Sequence, residues 1–233
     1  MRFQTTRWSI VNAAGAGDSA ARSALAKLCE TYWYPLYAYV RRRGATPDDA
    51  RDLTQGFFTS LIERPNFDSL QKERGRFRAF LLASLQHYLA KDYARRTTLK
   101  RGGGVLPLSL ELDGAEGRYR FEPADMETPQ TLFERRWALT VIEKALAQVR
   151  KEWEAAAKTA EFDALKSCLL GTPTGGYAAV AKDISSTEGA VRVAVHRLRR
   201  KFQKRLREEI AETVADPSEV DDEIRYLLRA LEA

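Results

Sequence analysis

Eight arginines and lysines stand between Arg192 and Arg207, with no acidic residue among them. Guanidinium and ammonium groups at helical spacing bind polyanions rather than transform them, because each neutralises a phosphate without offering a nucleophile or a proton acceptor. The residues before this run give it a start: Thr187 is a good N-cap, and Glu188 falls in the first turn, where the helix dipole favours an acid. Val191 and Val195 repeat at a four-residue spacing and face a core, which leaves Glu188, Gly189, Arg192, Val193, His196 and Arg199 or Arg200 on the open side. Upstream, Ala178, Val180, Ala181 and Ile184 are small or aliphatic and let a short helix pack closely on its partner. Short helix, tight turn and capped basic helix together describe a helix-turn-helix whose second helix suits the DNA major groove.

The rest of the chain is consistent with a polyanion partner. From Lys72 to Arg101 there are nine basic residues against Glu73 and Asp92, interleaved with Phe77, Phe80, Leu81, Tyr88 and Tyr93, which are expected to be mostly core. Acidic segments lie between the two basic runs, over residues 108–134, and after them, over residues 208–233. With 233 residues, a net charge of +6, 44% hydrophobic and 30% charged residues, the composition is that of a foldable, moderately basic protein with a sizeable core. No P-loop, dinucleotide fingerprint, HExxH or nucleophile elbow occurs, so neither an enzymatic activity nor a cofactor is expected. Cys29 and Cys168 stand far apart in apolar helical patterns, with no Cys or His beside them, and read as buried thiols of a reducing compartment rather than metal ligands. No apolar run reaches the roughly 18 residues of a membrane span, and the N-terminus lacks a secretory apolar region, so a cytoplasmic location is expected.

The elements that must carry these residues are helical. An apolar-periodic stretch over residues 19–43 stops at Gly44, which suits a left-handed cap. Thr46-Pro47-Asp48-Asp49 starts a helix that should end before Pro65, and a third helix should run over residues 77–96. Gly102-Gly103-Gly104 and Pro107 then close a first domain, and the acidic stretch to residue 129 reads as an extended linker. A second helical block begins near Gln130 with two helices, followed by a short helix over residues 177–182 and a long one over residues 188–213. The final segment, residues 217–233, is amphipathic, with Val220, Ile224, Leu227, Leu228 and Leu231 on one face. The expectation is an all-α chain of two helical domains, residues 1–101 and 130–213, joined by a linker over residues 102–129 and followed by an extension over residues 214–233.

Thr187-Glu188-Gly189-Ala190-Val191-Arg192, His196-Arg197 and Arg199-Arg200-Lys201, preceded by Ala181 and Ile184, resemble region 4 of the extracytoplasmic-function sigma factors of bacterial RNA polymerase. Ala50, Asp52-Leu53, Gln55 and Phe58 look like regions 2.1 and 2.2 of that family, and Gly75 to Leu82 with Tyr88, Asp92, Arg95 and Arg96 look like regions 2.3 and 2.4. Both matches occur in the family's order and cover most of the chain. The resemblance implies a protein that binds core RNA polymerase, directs it to promoter DNA and helps to melt the minus-10 element. It assigns minus-35 contacts to Thr187, Glu188, Arg192, Val193, His196, Arg197, Arg199 and Arg200. Minus-10 contacts fall to Arg76, Arg78, His87, Lys91, Arg95 and Arg96, with capture of a flipped base by the loop over residues 65–75. Polymerase contacts fall to Asp48, Asp49, Asp52, Leu53, Gln55 and Phe58. The linker would resemble the family's connector, which threads toward the RNA exit path.

The departures from the family pattern carry their own expectations. Arg51 and Gly56 stand where the family usually has acids, so affinity for a basic clamp surface should be lower unless negative charge is restored. Phosphorylation of Thr54 or Thr59 would restore it, which makes a Ser/Thr kinase a candidate regulator beside an anti-sigma factor. Val193 and Ala194 replace residues that are often polar or basic, so promoter preference does not transfer from the family. The alternative to a sigma factor is a stand-alone helix-turn-helix regulator that binds operator DNA as a dimer. The extension would either engage a partner or pack back on its own chain, where its acids could cover a basic face.

Overall fold

The computed structural model describes residues 7–13, 19–63, 76–98, 115–120, 128–169, 171, 173 and 175–232. The described elements are α1 (Arg7–Ala13), α2 (Ser19–Arg42), α3 (Pro47–Glu63), α4 (Phe77–Thr98), α5 (Ala115–Arg120), α6 (Pro129–Ala155), α7 (Thr159–Leu165), α8 (Gly176–Asp183), α9 (Glu188–Ala211) and α10 (Val220–Glu232). Short 3-10 turns follow α7 and precede α10, and no strand occurs among the described residues beyond an isolated bridge between Arg76 and Val214. The all-helical expectation therefore holds, with α1 and α5 added to the helices read from periodicity. None of the described helices is long and apolar enough to cross a membrane.

Local chemistry explains the helix ends. Gly44, at φ +93°, closes α2 in the left-handed region, its N–H donating to the Arg41 carbonyl at 3.0 Å. Thr46 caps α3: its Oγ1 accepts from the Asp49 N–H at 3.2 Å, while its hydroxyl donates to Asp49 Oδ2 at 2.8 Å.

Two compact units are present, Met1–Thr140 with Ile210–Ala233, and Val141–Glu209. This differs from a division at residues 101 and 130. Within the first unit, Leu132, Phe133 and Trp137 of α6 are fully buried, and the Trp137 indole N–H donates to the Tyr32 hydroxyl at 2.9 Å. Trp8, Leu25, Leu36, Phe58, Phe77, Leu81 and Leu85 are fully buried in the same unit, with the Trp8 ring 5.0 Å from Phe77 and the Phe77 ring 4.9 Å edge-on to Tyr32. Leu227 of α10 is equally buried, so the C-terminal segment is part of this core rather than an appendage.

The acidic stretch is not wholly extended. Within it α5 is helical, and its Glu116 accepts from Tyr37 at 2.6 Å and from both Nε and Nη2 of Arg41 at 3.0 Å. That bidentate pair holds the Glu116 carboxyl below its ordinary range, the Arg41 hydrogen bond contributing most. At its end Thr128 caps α6, its Oγ1 accepting from the Thr131 N–H at 3.1 Å, and the linker residues other than these lie outside the described residues.

The second unit is built on Val149, Trp153, Phe162, Leu165, Cys168, Val180, Ala181, Val191, Val195 and Leu198, which form one buried cluster. Glu152 of α6 accepts from Lys201 at 2.9 Å and from Arg205 Nε at 2.6 Å, tying α6 to α9. Both cysteines are buried free thiols, and burial pushes the Cys29 thiol pKa far above its usual range.

Candidate nucleic-acid interface

In the second unit α8 and α9 meet as a helix-turn-helix. Val180 and Ala181 of α8 are buried, and Ile184 packs against the same cluster. The turn reverses at Ser185, which adopts φ +51°, and the Ser186 N–H returns to the Ala181 carbonyl at 2.8 Å. Thr187 caps α9 through its Oγ1, which accepts from the Ala190 N–H at 3.2 Å. Thr187 is thus exposed and occupied as a cap. Val191, Val195 and Leu198 form the inner stripe of α9, and Glu188, Gly189, Arg192, Val193, His196, Arg197 and Arg200 are exposed, so the inward and outward faces agree with the helical spacing.

The basic residues divide into two sets. Lys201 and Arg205 are spent on Glu152, and their hydrogen bonds hold its carboxyl below the ordinary range, that from Lys201 contributing most. Arg199 turns inward: its Nη2 donates to the carbonyls of Cys168 at 2.6 Å and Gly171 at 3.1 Å, closing the end of the 3-10 turn Lys166–Cys168. Half-buried and committed to backbone carbonyls, Arg199 is a structural residue here rather than a surface contact. Arg192 pairs with Glu188 at 2.6 Å and lies 5.3 Å over the Tyr177 ring. His196, Arg197 and Arg200 make no hydrogen bond or ion pair to a described residue. They are the polar groups of this face whose bonding capacity points outward.

In the first unit the residues assigned to minus-10 contact do not share one environment. Arg78 is 7% exposed, and its Nε donates to Glu223 of α10 at 2.6 Å while its Nη2 reaches the other carboxylate oxygen at 3.4 Å. Its guanidinium lies 3.6 Å from the Tyr226 ring centroid and 5.2 Å from that of Trp137. Burial alone would lower the Arg78 pKa, but the hydrogen bond and charge of Glu223 outweigh it and hold it raised. Arg76 pairs with the same carboxylate at 3.0 Å. Phosphate contact by Arg78 is therefore corrected: it is an internal ion-pair partner, and Arg76 shares that anchor.

His87, Lys91 and Arg95, by contrast, are exposed along one stripe of α4, at a repeat of four, beyond the last fully buried residue, Leu85. Arg95 lies 3.7 Å from Asp92. The side chain of Arg96 and the loop over residues 65–75 lie outside the described residues. Tyr93, expected to be core, is 73% exposed because it follows the point where α4 leaves the core.

The residues assigned to polymerase contact also separate. Asp48 and Asp52 are exposed on α3, Leu53 and Gln55 are half-buried, and Asp49 is engaged by Thr46. Phe58 is 1% exposed, its ring 5.4 Å from Phe57, so it belongs to the core and not to a docking face. Thr54 and Thr59 are buried at 0% and 8% exposure, and neither hydroxyl has a hydrogen-bond partner among the described residues. A kinase needs the hydroxyl in an extended, accessible segment, so phosphorylation at either threonine is corrected by this burial. Gly56 also has a structural reason: a Cβ there would lie 2.5 Å from the Tyr88 hydroxyl.

Glu116, Glu152 and Glu223, which anchor these arginines, were not recognisable as anchors from charge runs. Glu223 carried one signal, since it falls on the buried stripe Val220, Glu223, Leu227 and Ala230 at helical spacing; Leu228, expected on that stripe, is 51% exposed. An acid on a core stripe calls for a buried cation. Comparison with known proteins returns no match to any family model, curated protein or solved structure.

Proposed function

We propose that this chain is an alternative sigma factor of the extracytoplasmic-function type, which binds core RNA polymerase and directs it to promoter DNA for transcription initiation. The observation that supports this most is the capped α9, set on α8 through a tight turn, with Val193, His196, Arg197 and Arg200 facing outward. Such a helix fits the major groove, where outward cations neutralise phosphate and side chains of the first turns reach base edges. His87, Lys91 and Arg95 on the outer stripe of α4 supply the second DNA contact, and Asp48 and Asp52 on α3 supply charge toward a basic polymerase surface. The reading assigns no covalent chemistry to the chain, and it makes the protein cytoplasmic.

The test is co-migration of the purified chain with bacterial core RNA polymerase on size exclusion, with duplex binding by the chain alone in parallel. A stable complex that acquires promoter selectivity is the expected result. Sequence-specific binding by a dimer of the chain, without polymerase association, would replace this reading with that of an operator-binding regulator.

A further inference from the structure

The outward stripe of α9 is Gly189, Val193, His196 and Arg200, spaced four, three and four residues apart. Its centre is apolar. Val193 is 52% exposed, one of the few large hydrophobic side chains so placed among the described residues. One turn before it, Gly189 presents no side chain, and a Cβ built there would meet nothing within 4 Å. The cations beside it are differently employed: Arg192 is held by Glu188 at 2.6 Å, and Arg199 is turned to the carbonyls of Cys168 and Gly171. A β-branched residue at an exposed helix position brings no propensity gain over Ala, Lys or Arg.

We infer that Val193 reads the 5-methyl group of a thymine in the major groove. The inference rests on the proposed DNA-binding role and specifies one base of the target. Thymine is the base that presents an apolar group on its major-groove edge, and a branched aliphatic side chain matches it without a hydrogen bond. The bare backbone at Gly189 lets the first turn of α9 approach the bases, and His196, Arg197 and Arg200 around Val193 supply polar and phosphate contacts that set its register.

The test selects duplexes from a randomised pool with the full chain, with and without bacterial core RNA polymerase, and then remakes a selected duplex with each thymine replaced in turn by deoxyuridine. One position should lose about fourfold in affinity, the worth of one buried methyl group. At that position Val193→Ala should bind the thymine and uracil duplexes equally, while keeping the wild-type circular dichroism and melting no lower than wild type, because the side chain makes no core and Ala favours the helix. Uracil tolerated at every position, or a penalty that persists in Val193→Ala, overturns the inference and leaves sequence-specific binding standing. Enrichment of no sequence under either condition overturns the DNA-binding reading and the inference with it.

Discussion

Glu223→Gln removes one negative charge from a carboxylate that is 1% exposed and serves two arginines, while keeping the side-chain shape. Arg78 would keep its faces on Tyr226 and Trp137 but lose its buried counter-charge. Breaking a buried pair from one side costs about 3–5 kcal/mol. The remaining amide oxygen can still accept one hydrogen bond, and Arg76, at 30% side-chain exposure, can turn to water, so about 2–4 kcal/mol is expected for the first unit. Urea unfolding followed by Trp137 fluorescence reads this directly, since that ring lies 5.2 Å from the Arg78 guanidinium; single-tryptophan chains isolate its signal. The paired change Arg78→Met with Glu223→Met should cost far less than either single change, because no charge is then left buried. A loss below about 0.5 kcal/mol for Glu223→Gln, a value in the range of exposed pairs, would refute the account of α10 as a clasp on the start of α4.

Three further outcomes follow from the same geometry. Gly56→Ala should destabilise the wild-type chain but stabilise a Tyr88→Phe background by about 1 kcal/mol, because the clash at 2.5 Å is with the hydroxyl and the ring carbon lies at 3.6 Å; denaturant midpoints of the four chains check this. Thr54→Val should raise the stability of the first unit by about 1 kcal/mol, since it replaces a buried hydroxyl lacking a partner with an isosteric methyl; a loss would show that the hydroxyl is bonded in solution. Glu152, held below its ordinary range by Lys201 and Arg205, contributes stability that is present above the unfolded glutamate pKa of about 4.3 and is lost as pH falls through the lower folded value. Glu152→Gln should therefore flatten that acid limb in a pH series of unfolding curves for the second unit.

Much of the local structure was legible because it depends on neighbours in sequence. The period of Val191, Val195 and Leu198 chose the inner face of α9, and Thr46, Thr187 and Gly44 acted as caps through contacts within four residues. The helical class and the exposed positions of Val193, His196 and Arg200 follow from that short-range pattern. Charge runs did not reveal which cations would face solvent. Arg78, Arg199 and Arg205 read like their neighbours until distant groups claimed them: Glu223 lies 145 positions from Arg78, and Glu152 lies 53 from Arg205. Likewise the amphipathic pattern made Thr54, Thr59 and Phe58 residues of one helix, but only tertiary packing, of α2 along α3 and of Tyr88 of α4 on Phe57, left all three buried. A helix is chosen by interactions a few residues long, whereas the partner of a buried charge is chosen by which distant segments pack together, and that is decided only when the core closes.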